Sequence, residues 1–209
     1  MLAVVRKTST KVVGGRVTRK SRSDLSEVNG YVVERVAAGR GFRHVVSPRQ
    51  LESFIELIPG WREYSFRLER ILLSRGYENA FGYHEFFRRE KVATIALCPW
   101  PKALWTPISL PFFYEHRRVI EALGVPYDIG LRRATCRFTV AQAKAFSLLH
   151  VFLHEVGHHR DWLRRRGVKL RGKEQIAEDF ANRLFETMLP LYRDRFGDPA
   201  KREIGGEEG

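Results

Sequence analysis

The chain has 209 residues with a formal net charge of +13, and 44% of its residues are hydrophobic and 12% aromatic. This length suits one domain with a buried core, and the composition excludes a disordered chain. No run of about 18 apolar residues occurs, and Arg6 and Lys7 interrupt the apolar core that a signal peptide needs, so we expect a cytoplasmic protein without membrane insertion.

The positive charge is concentrated at the N-terminus, because residues 1–23 contain seven basic side chains and no acidic one. We predict a basic arm over residues 1–23, a single domain over residues 24–196 and a loose tail over residues 197–209. Such an arm can bind nucleic acid or an anionic surface without sequence preference. A solvated arm, a hairpin turning at Gly14-Gly15 and an organelle transit peptide are the alternatives.

Two segments in the first half of the domain are predicted to be helical. In "SPRQLESFIELIPG", Ser47 is a suitable N-cap, Pro48 fits the first turn, and the apolar residues share one face. "WREYSFRLERILLSRG" has the same periodicity and predicts a second helix that ends at Gly76. "KVATIALCPWP" predicts a buried strand of about seven residues, which the prolines end.

The next segments are predicted to be shorter elements. The prolines of "LWTPISLPFFYEH" favour an irregular path. The segment "YEHRRVIEALG" is predicted to be an amphipathic helix, and "ATCRFT" is predicted to be a strand. Cys98 and Cys136 form no CxxC pair, which favours a reducing compartment, with one disulfide as the alternative.

Two helices are predicted near the C-terminus. The first runs from Val140 to Arg166, with Thr139 as N-cap and Gln142 completing a capping box. It is apolar almost all round in its middle, which predicts a helix buried on most sides. The second runs from about Lys173 to Leu189, and Pro190 is expected to close it.

The buried helix contains the sequence HEVGH, an HExxH pattern. His154 and His158 are four residues apart on one face, so both imidazoles can bind one zinc ion, and Glu155 beside them can act as general base. Without a metal, these polar groups would be costly in a core, although satisfied core histidines are the alternative. His150 is expected to be a supporting or core residue, and His159 a surface or supporting residue.

A third ligand is expected from the last helix, which offers Glu174 and Glu178. The HExxH helix continues for some distance beyond His158. A helix that begins at Lys173 and runs antiparallel must extend by about the same distance before it lies opposite the histidines. That distance favours Glu178 as the ligand. Asn182 lies on the same face and is expected to hydrogen-bond a ligating imidazole.

The HEVGH sequence and the downstream "EDFANRLFETMLP" together resemble the gluzincin metallopeptidases, over about residues 135–190. In thermolysin-like members the glutamate ligand lies twenty residues after the second histidine, which is Glu178 here. The downstream stretch is also similar to that of ImmA/IrrE-type proteins, and the chain resembles a minimal gluzincin, or minigluzincin. Carried over, the resemblance implies His154, His158 and Glu178 as zinc ligands and Glu155 as general base.

The resemblance implies an α+β, zincin-like fold: a small mixed sheet, a central HExxH helix and a following antiparallel helix that carries the glutamate. It also implies an edge strand that pairs with an extended substrate, for which residues 92–98 and 134–139 are the candidates. The chain departs from thermolysin-like enzymes at Asn182, where they have aspartate.

The function expected from these residues is zinc-dependent hydrolysis of a peptide or protein substrate. The residue that stabilises the oxyanion is open among His84, His116, Tyr114 and Tyr192. One alternative is a catalytically inactive, zincin-like zinc-binding protein with a regulatory or scaffold role. Another is association with nucleic acid through the basic arm.

Overall fold

The structure is a computed structural model that describes residues 11–13, 16–18, 30–75, 80–165 and 172–201, and the fold is mixed α+β. The strands are β1 (Lys11–Val13), β2 (Arg16–Thr18), β3 (Val32–Arg35), β4 (Phe42–Arg43), β5 (Leu68–Leu73), β6 (Gly82–Phe87), β7 (Val92–Leu97), β8 (Trp100–Pro101), β9 (Trp105–Ser109), β10 (Tyr127–Ile129) and β11 (Arg133–Arg137). The helices are α1 (Pro48–Ile55), α2 (Trp61–Tyr64), α3 (Leu110–Ala122), α4 (Val140–Phe146), the π segment (Ser147–Phe152), α5 (Leu153–Arg165) and α6 (Lys173–Phe196).

The main sheet has four strands in the order β3-β5-β7-β6. Strands β3, β5 and β7 are parallel, whereas β6 runs antiparallel to β7 and forms one edge. Every residue of β7 is buried, because the strand lies inside the sheet and under the long helix. A second sheet, β10-β11-β9, is antiparallel.

Both predicted edge strands are wrong. Residues 92–98 contain β7, which pairs with β5 on one side and β6 on the other. Residues 134–139 contain most of β11, which lies between β10 and β9. The edge of the main sheet nearest the long helix is instead β6, for which no strand was predicted. Its side chains are nearly all half-buried, so it lacks the alternation that marks a strand with one solvent face.

Helix α1 confirms its prediction, with Ser47 as N-cap and Pro48 in the first turn, and the structure adds a capping box between Ser47 and Gln50. The second predicted helix is wrong, because only Trp61–Tyr64 is helical and β5 follows; its predicted end, Gly76, lies outside the described residues. Strand pairing shifts register between Leu68 and Arg70. This irregularity interrupts the period of two, so buried Leu68 and Ile71 are spaced as in a helix.

The prolines of the aromatic stretch do not make it irregular. Pro107 lies in β9, an edge strand, where a missing N–H is tolerated. Pro111 lies in the first turn of α3, where the N–H has no partner in the helix, and the Ser109 side chain caps that turn. The predicted strand "ATCRFT" is confirmed as part of β11.

The long predicted helix is confirmed as α4, the π segment and α5, one after another from Val140 to Arg165, with the predicted capping box at Thr139. Arg166 lies outside the described residues. Pro190 does not close the last helix, which continues to Phe196. Pro190 is exposed, while Met188 and Tyr192 on the opposite face are buried, so core packing holds both sides of the proline.

Cys98 and Cys136 are both buried and form no disulfide, so the alternative of a disulfide between them is wrong. Strands β1 and β2 pair antiparallel, as the hairpin interpretation of the arm requires. The predicted turn of this hairpin at Gly14-Gly15 and most other residues of 1–23 lie outside the described residues. In the part of the chain that the structure describes, no helix combines the length and the apolar character needed to cross a bilayer.

Candidate metal centre

A cleft of about 810 Å³ opens beside α5. Its walls come from four elements: edge strand β6, the helix formed by the π segment and α5, the start of α6, and α3. The polar and charged side chains that line it are Tyr83, His84, Arg88, Glu115, His116, His150, His154, Glu155, His158, Asp161, Lys173, Glu174 and Glu178.

The two histidines of the HExxH pattern converge with Glu174 in this cleft. Oε2 of Glu174 lies 3.5 Å from Nε2 of His154 and 3.3 Å from Nε2 of His158. One ligand atom from each of the three residues lies within 4.8 Å of the others. About 3.4 Å separates ligand atoms of tetrahedral zinc at usual bond lengths, so this donor set fits a zinc ion with little movement.

Glu178, the predicted third ligand, lies on the other side of His154. Its Oε2 accepts a hydrogen bond from Nδ1 of His154 at 3.1 Å, and only 3% of the residue is exposed. Glu174, in the first turn of α6, is already level with His158, so α6 reaches the histidines one turn earlier than predicted. The structure therefore brings Glu174, and not Glu178, beside the Nε2 atoms of both histidines.

The position of Glu178 nevertheless has a consequence for His154. Because a carboxylate only accepts, Nδ1 of His154 must donate to it, which leaves Nε2 of the neutral ring free to bind a cation. Burial lowers the pKa of His154, but the hydrogen bond to Glu178 and the charges of Glu155, Glu178 and Glu174 outweigh burial and leave the pKa raised. A cation between His154 and Glu174 would replace the proton that this raised pKa retains.

The predicted supporting residues contact Glu178. Nδ2 of Asn182 donates to Oε1 of Glu178 at 3.1 Å, so Asn182 orients the buried carboxylate. The predicted partner was an imidazole, and the structure gives the carboxylate in its place. Nε2 of His150 lies 3.7 Å from Oε2 of Glu178, and His150 is buried, as predicted for a supporting or core residue. Both residues therefore act on His154 through Glu178.

Glu155 is buried, with 6% of its surface exposed, and it lines the cleft next to the two histidines. Burial raises its pKa to about 7, because desolvation outweighs the charge of His154. Gly82 of β6 makes room for this carboxylate: a Cβ there would lie 3.1 Å from Oε1 of Glu155 and 2.9 Å from the carbonyl oxygen of Ala96. A carboxylate with a pKa near neutrality is suited to accept and return a proton.

His159 is fully buried and not at the surface, which was one of its two predicted positions. Its Nε2 donates to the carbonyl of Phe66 at 2.9 Å, so Nδ1 of the neutral ring accepts from Nε2 of His84, 3.2 Å away. Burial, then the neighbouring His159 and His158, lower the pKa of His84 to about 3, so the ring is neutral and its Nδ1 carries a lone pair. His84 therefore enters the cleft as an acceptor.

The four candidates for oxyanion stabilisation differ in position. His84 and His116 line the cleft, but neutral His84 has no free donor and His116 uses Nδ1 to donate to Phe112. Tyr192 is buried against Phe196, and Tyr114 is exposed; neither lines the cleft.

Gly157, inside the HExxH pattern, lets α5 approach α6. A Cβ at this position would lie 2.9 Å from Cα and 3.0 Å from the carbonyl oxygen of Ala177. These are backbone atoms, which cannot rotate away. Ala181 of α6 is small and fully buried as well.

Replacing Gly157 with alanine is expected to separate the two helices and lower the free energy of unfolding by about 1–3 kcal/mol, as overpacking of a core does. The measurement is urea unfolding with chelator present, so that lost metal does not contribute. Zinc affinity should fall as well, because Glu174 moves away with α6. An unchanged unfolding midpoint would contradict the close contact with Ala177.

Sequence reasoning missed three features of this site. Glu174 was considered as the third ligand, but the returning helix was expected to reach the level of the histidines only at Glu178. Strand β6 and its Gly82 were not identified, although the aromatic residues of "GYHEFF" between a glycine and a charged turn are a signal for a strand. Lys173 also lines the cleft, and no pattern in the sequence pointed to it.

Comparison with known proteins adds no relative. No family model matches the chain, and no curated protein or solved structure matches it.

Proposed function

We propose that the chain is a zinc-dependent peptidase in which His154, His158 and Glu174 bind the metal ion and Glu155 is the general base. The convergence of two Nε2 atoms and a carboxylate oxygen in an open cleft, beside a buried carboxylate, carries this proposal. The HExxH helix, the carboxylate-bearing helix that follows it and a mixed sheet with an antiparallel edge strand support a zincin-like arrangement.

Each part of the cleft then has a chemical role. His154, His158 and Glu174 would hold a zinc ion, and this ion would supply a Lewis acid for the scissile carbonyl and for the attacking water at neutral pH. Glu155 accepts the proton of the attacking water and returns it to the leaving amine. Glu178 holds His154 in the tautomer whose Nε2 faces the cleft.

The substrate proposed for this cleft is an extended peptide. Strand β6 lines the cleft, and within the described residues its only strand partner is β7. Its outer edge therefore offers backbone N–H and C=O groups to a chain that lies along it. Gly82 keeps this edge close to Glu155, so a peptide paired with β6 would pass the general base.

Replacing Glu155 with glutamine is expected to reduce peptide hydrolysis by a factor of about 100 to 10,000 while zinc remains bound, because only the proton acceptor is lost. Cleavage of a mixed peptide library is followed by mass spectrometry, and zinc per chain by atomic emission.

Asp179→Asn is the matched control, because Asp179 is an exposed carboxylate of α6 that does not line the cleft. It should cleave as the wild type does. Full activity of Glu155→Gln would contradict the assignment of the general base. If the zinc-loaded wild type cleaves no peptide, the chain is instead a zinc-binding protein without hydrolytic activity.

A further inference from the structure

Three buried side chains from different elements meet beside the proposed zinc site and share no residue with it. His116 comes from α3, His150 from the π segment and Glu178 from α6, and each is at most 5% exposed. Oε2 of Glu178 lies 3.6 Å from Nε2 of His116 and 3.7 Å from Nε2 of His150. One ligand atom from each lies within 4.8 Å of the other two.

The hydrogen bonds around this cluster leave it short of donors. Nδ1 of His116 lies 2.7 Å from the carbonyl oxygen of Phe112, and a carbonyl only accepts, so Nδ1 carries the proton. Nε2 of His116 therefore faces the carboxylate of Glu178, and in the neutral tautomer it presents a lone pair there. Two facing acceptors in a buried site are unfavourable unless a cation lies between them.

His150 also lacks the partners that a buried imidazole requires. Within the described residues its Nδ1 has no hydrogen-bond partner, and its Nε2 is too far from Glu178 for a strong hydrogen bond.

The π segment explains why His150 joins Glu178. A π turn holds more residues than an α turn, so each residue rotates less about the axis. The angle about the helix axis between His150 and His154 is therefore smaller than in a continuous α-helix. His150 lies on the Glu178 side of His154, with ring centroids 6.2 Å apart.

From this geometry we propose that His116, His150 and Glu178 form a second metal site, which binds a zinc-type divalent cation as a structural ion. Two imidazole nitrogens and one carboxylate oxygen are a zinc-type donor set, and the separations of 3.6 and 3.7 Å are close to the roughly 3.4 Å expected for tetrahedral zinc. All three residues line the cleft, which gives the ion a path of entry. The ion would tie α3 to the π segment and α6.

Metal content distinguishes this site from the proposed catalytic one. The full chain is stripped with chelator, reloaded with zinc, freed of excess by gel filtration and analysed by atomic emission. We expect two zinc ions per chain in the wild type, one in His150→Phe, one in His158→Phe and none in the double variant. His44→Phe is the control, because Nε2 of His44 hydrogen-bonds the carbonyl of Val36, away from both sites, and it should retain two.

The outcomes separate the two proposals. One ion in the wild type that is lost in His158→Phe but kept in His150→Phe overturns the second site, and a proton then holds the place between His116 and Glu178. One ion with the opposite pattern overturns the catalytic ligand set and leaves the second site standing. Two ions in His150→Phe also overturn the second site. If His150→Phe does not fold, judged by circular dichroism in chelator, His116→Phe takes its place with the same expectation.

Discussion

Replacing Glu174 with alanine is expected to weaken binding of one zinc ion by more than about 100-fold, because a ligand contributes more than the ten- to hundredfold that supporting partners do. The free energy of unfolding of the metal-free protein should stay within about 0.5 kcal/mol of the wild type. The reason is exposure: 80% of the Glu174 side chain is in solvent, so little packing is lost with it. Competition with a chromophoric chelator measures the affinity, and urea unfolding measures the stability.

Asp179→Ala is the matched control for Glu174→Ala. It removes a carboxylate from an exposed position five residues further along α6, which does not line the cleft, and it should leave zinc affinity unchanged. If Glu174→Ala binds zinc as tightly as this control, the two Nε2 atoms of His154 and His158 have a different third partner. The predicted ligand Glu178 would then be the first to test.

The parts of the site that could be predicted from the sequence depend on contacts within a few residues. The capping box at Thr139 and the four-residue spacing of His154 and His158 are local, so the buried helix and its two histidines were identified. The choice between Glu174 and Glu178 depends on where the chain turns back, which is a tertiary feature. The sequence shows the order of Glu174 and Glu178 along α6, but it does not show which histidines of α5 each glutamate faces.

The parts of the fold that were misread have similar causes. The irregularity between Leu68 and Arg70 gives a strand the spacing of a helix, and only its pairing with β7 reveals it. Pro190 is tolerated inside α6 because Met188 and Tyr192 are buried on the opposite face. In each case tertiary packing overrides a local rule that is sound on average.

The glutamates of α6 and the histidines of the long helix form two facing series with the same spacing. His150, His154 and His158 recur every fourth residue, and so do Glu174 and Glu178. Because the helices are antiparallel, each glutamate lies between two histidines: Glu174 between His158 and His154, and Glu178 between His154 and His150. His154 therefore contacts both carboxylates, one through each ring nitrogen, and this links the two proposed metal sites.

Replacing Glu178 with alanine is expected to give the opposite pattern to Glu174→Ala. Burial by itself would raise the pKa of Glu178, but His116, His154 and His150 outweigh it and hold the pKa below its usual range. Because the folded-state pKa is lowered, the stability that Glu178 contributes is fully present at neutral pH and is lost on acidification. Removing a buried, paired charge should cost about 3–5 kcal/mol even in chelator, which lowers the urea midpoint by about 1–2 M.

Urea unfolding of Glu178→Ala in chelator, at neutral pH beside Glu174→Ala, checks this expectation. Both variants remove one carboxylate from the same face of α6, so a difference between them reports burial and partners, not charge alone. With zinc restored, Glu178→Ala should still bind an ion at His154 and His158, about ten- to hundredfold more weakly, because Nδ1 of His154 has lost its acceptor. A Glu178→Ala protein as stable as Glu174→Ala would show that this carboxylate does not hold the three histidines together.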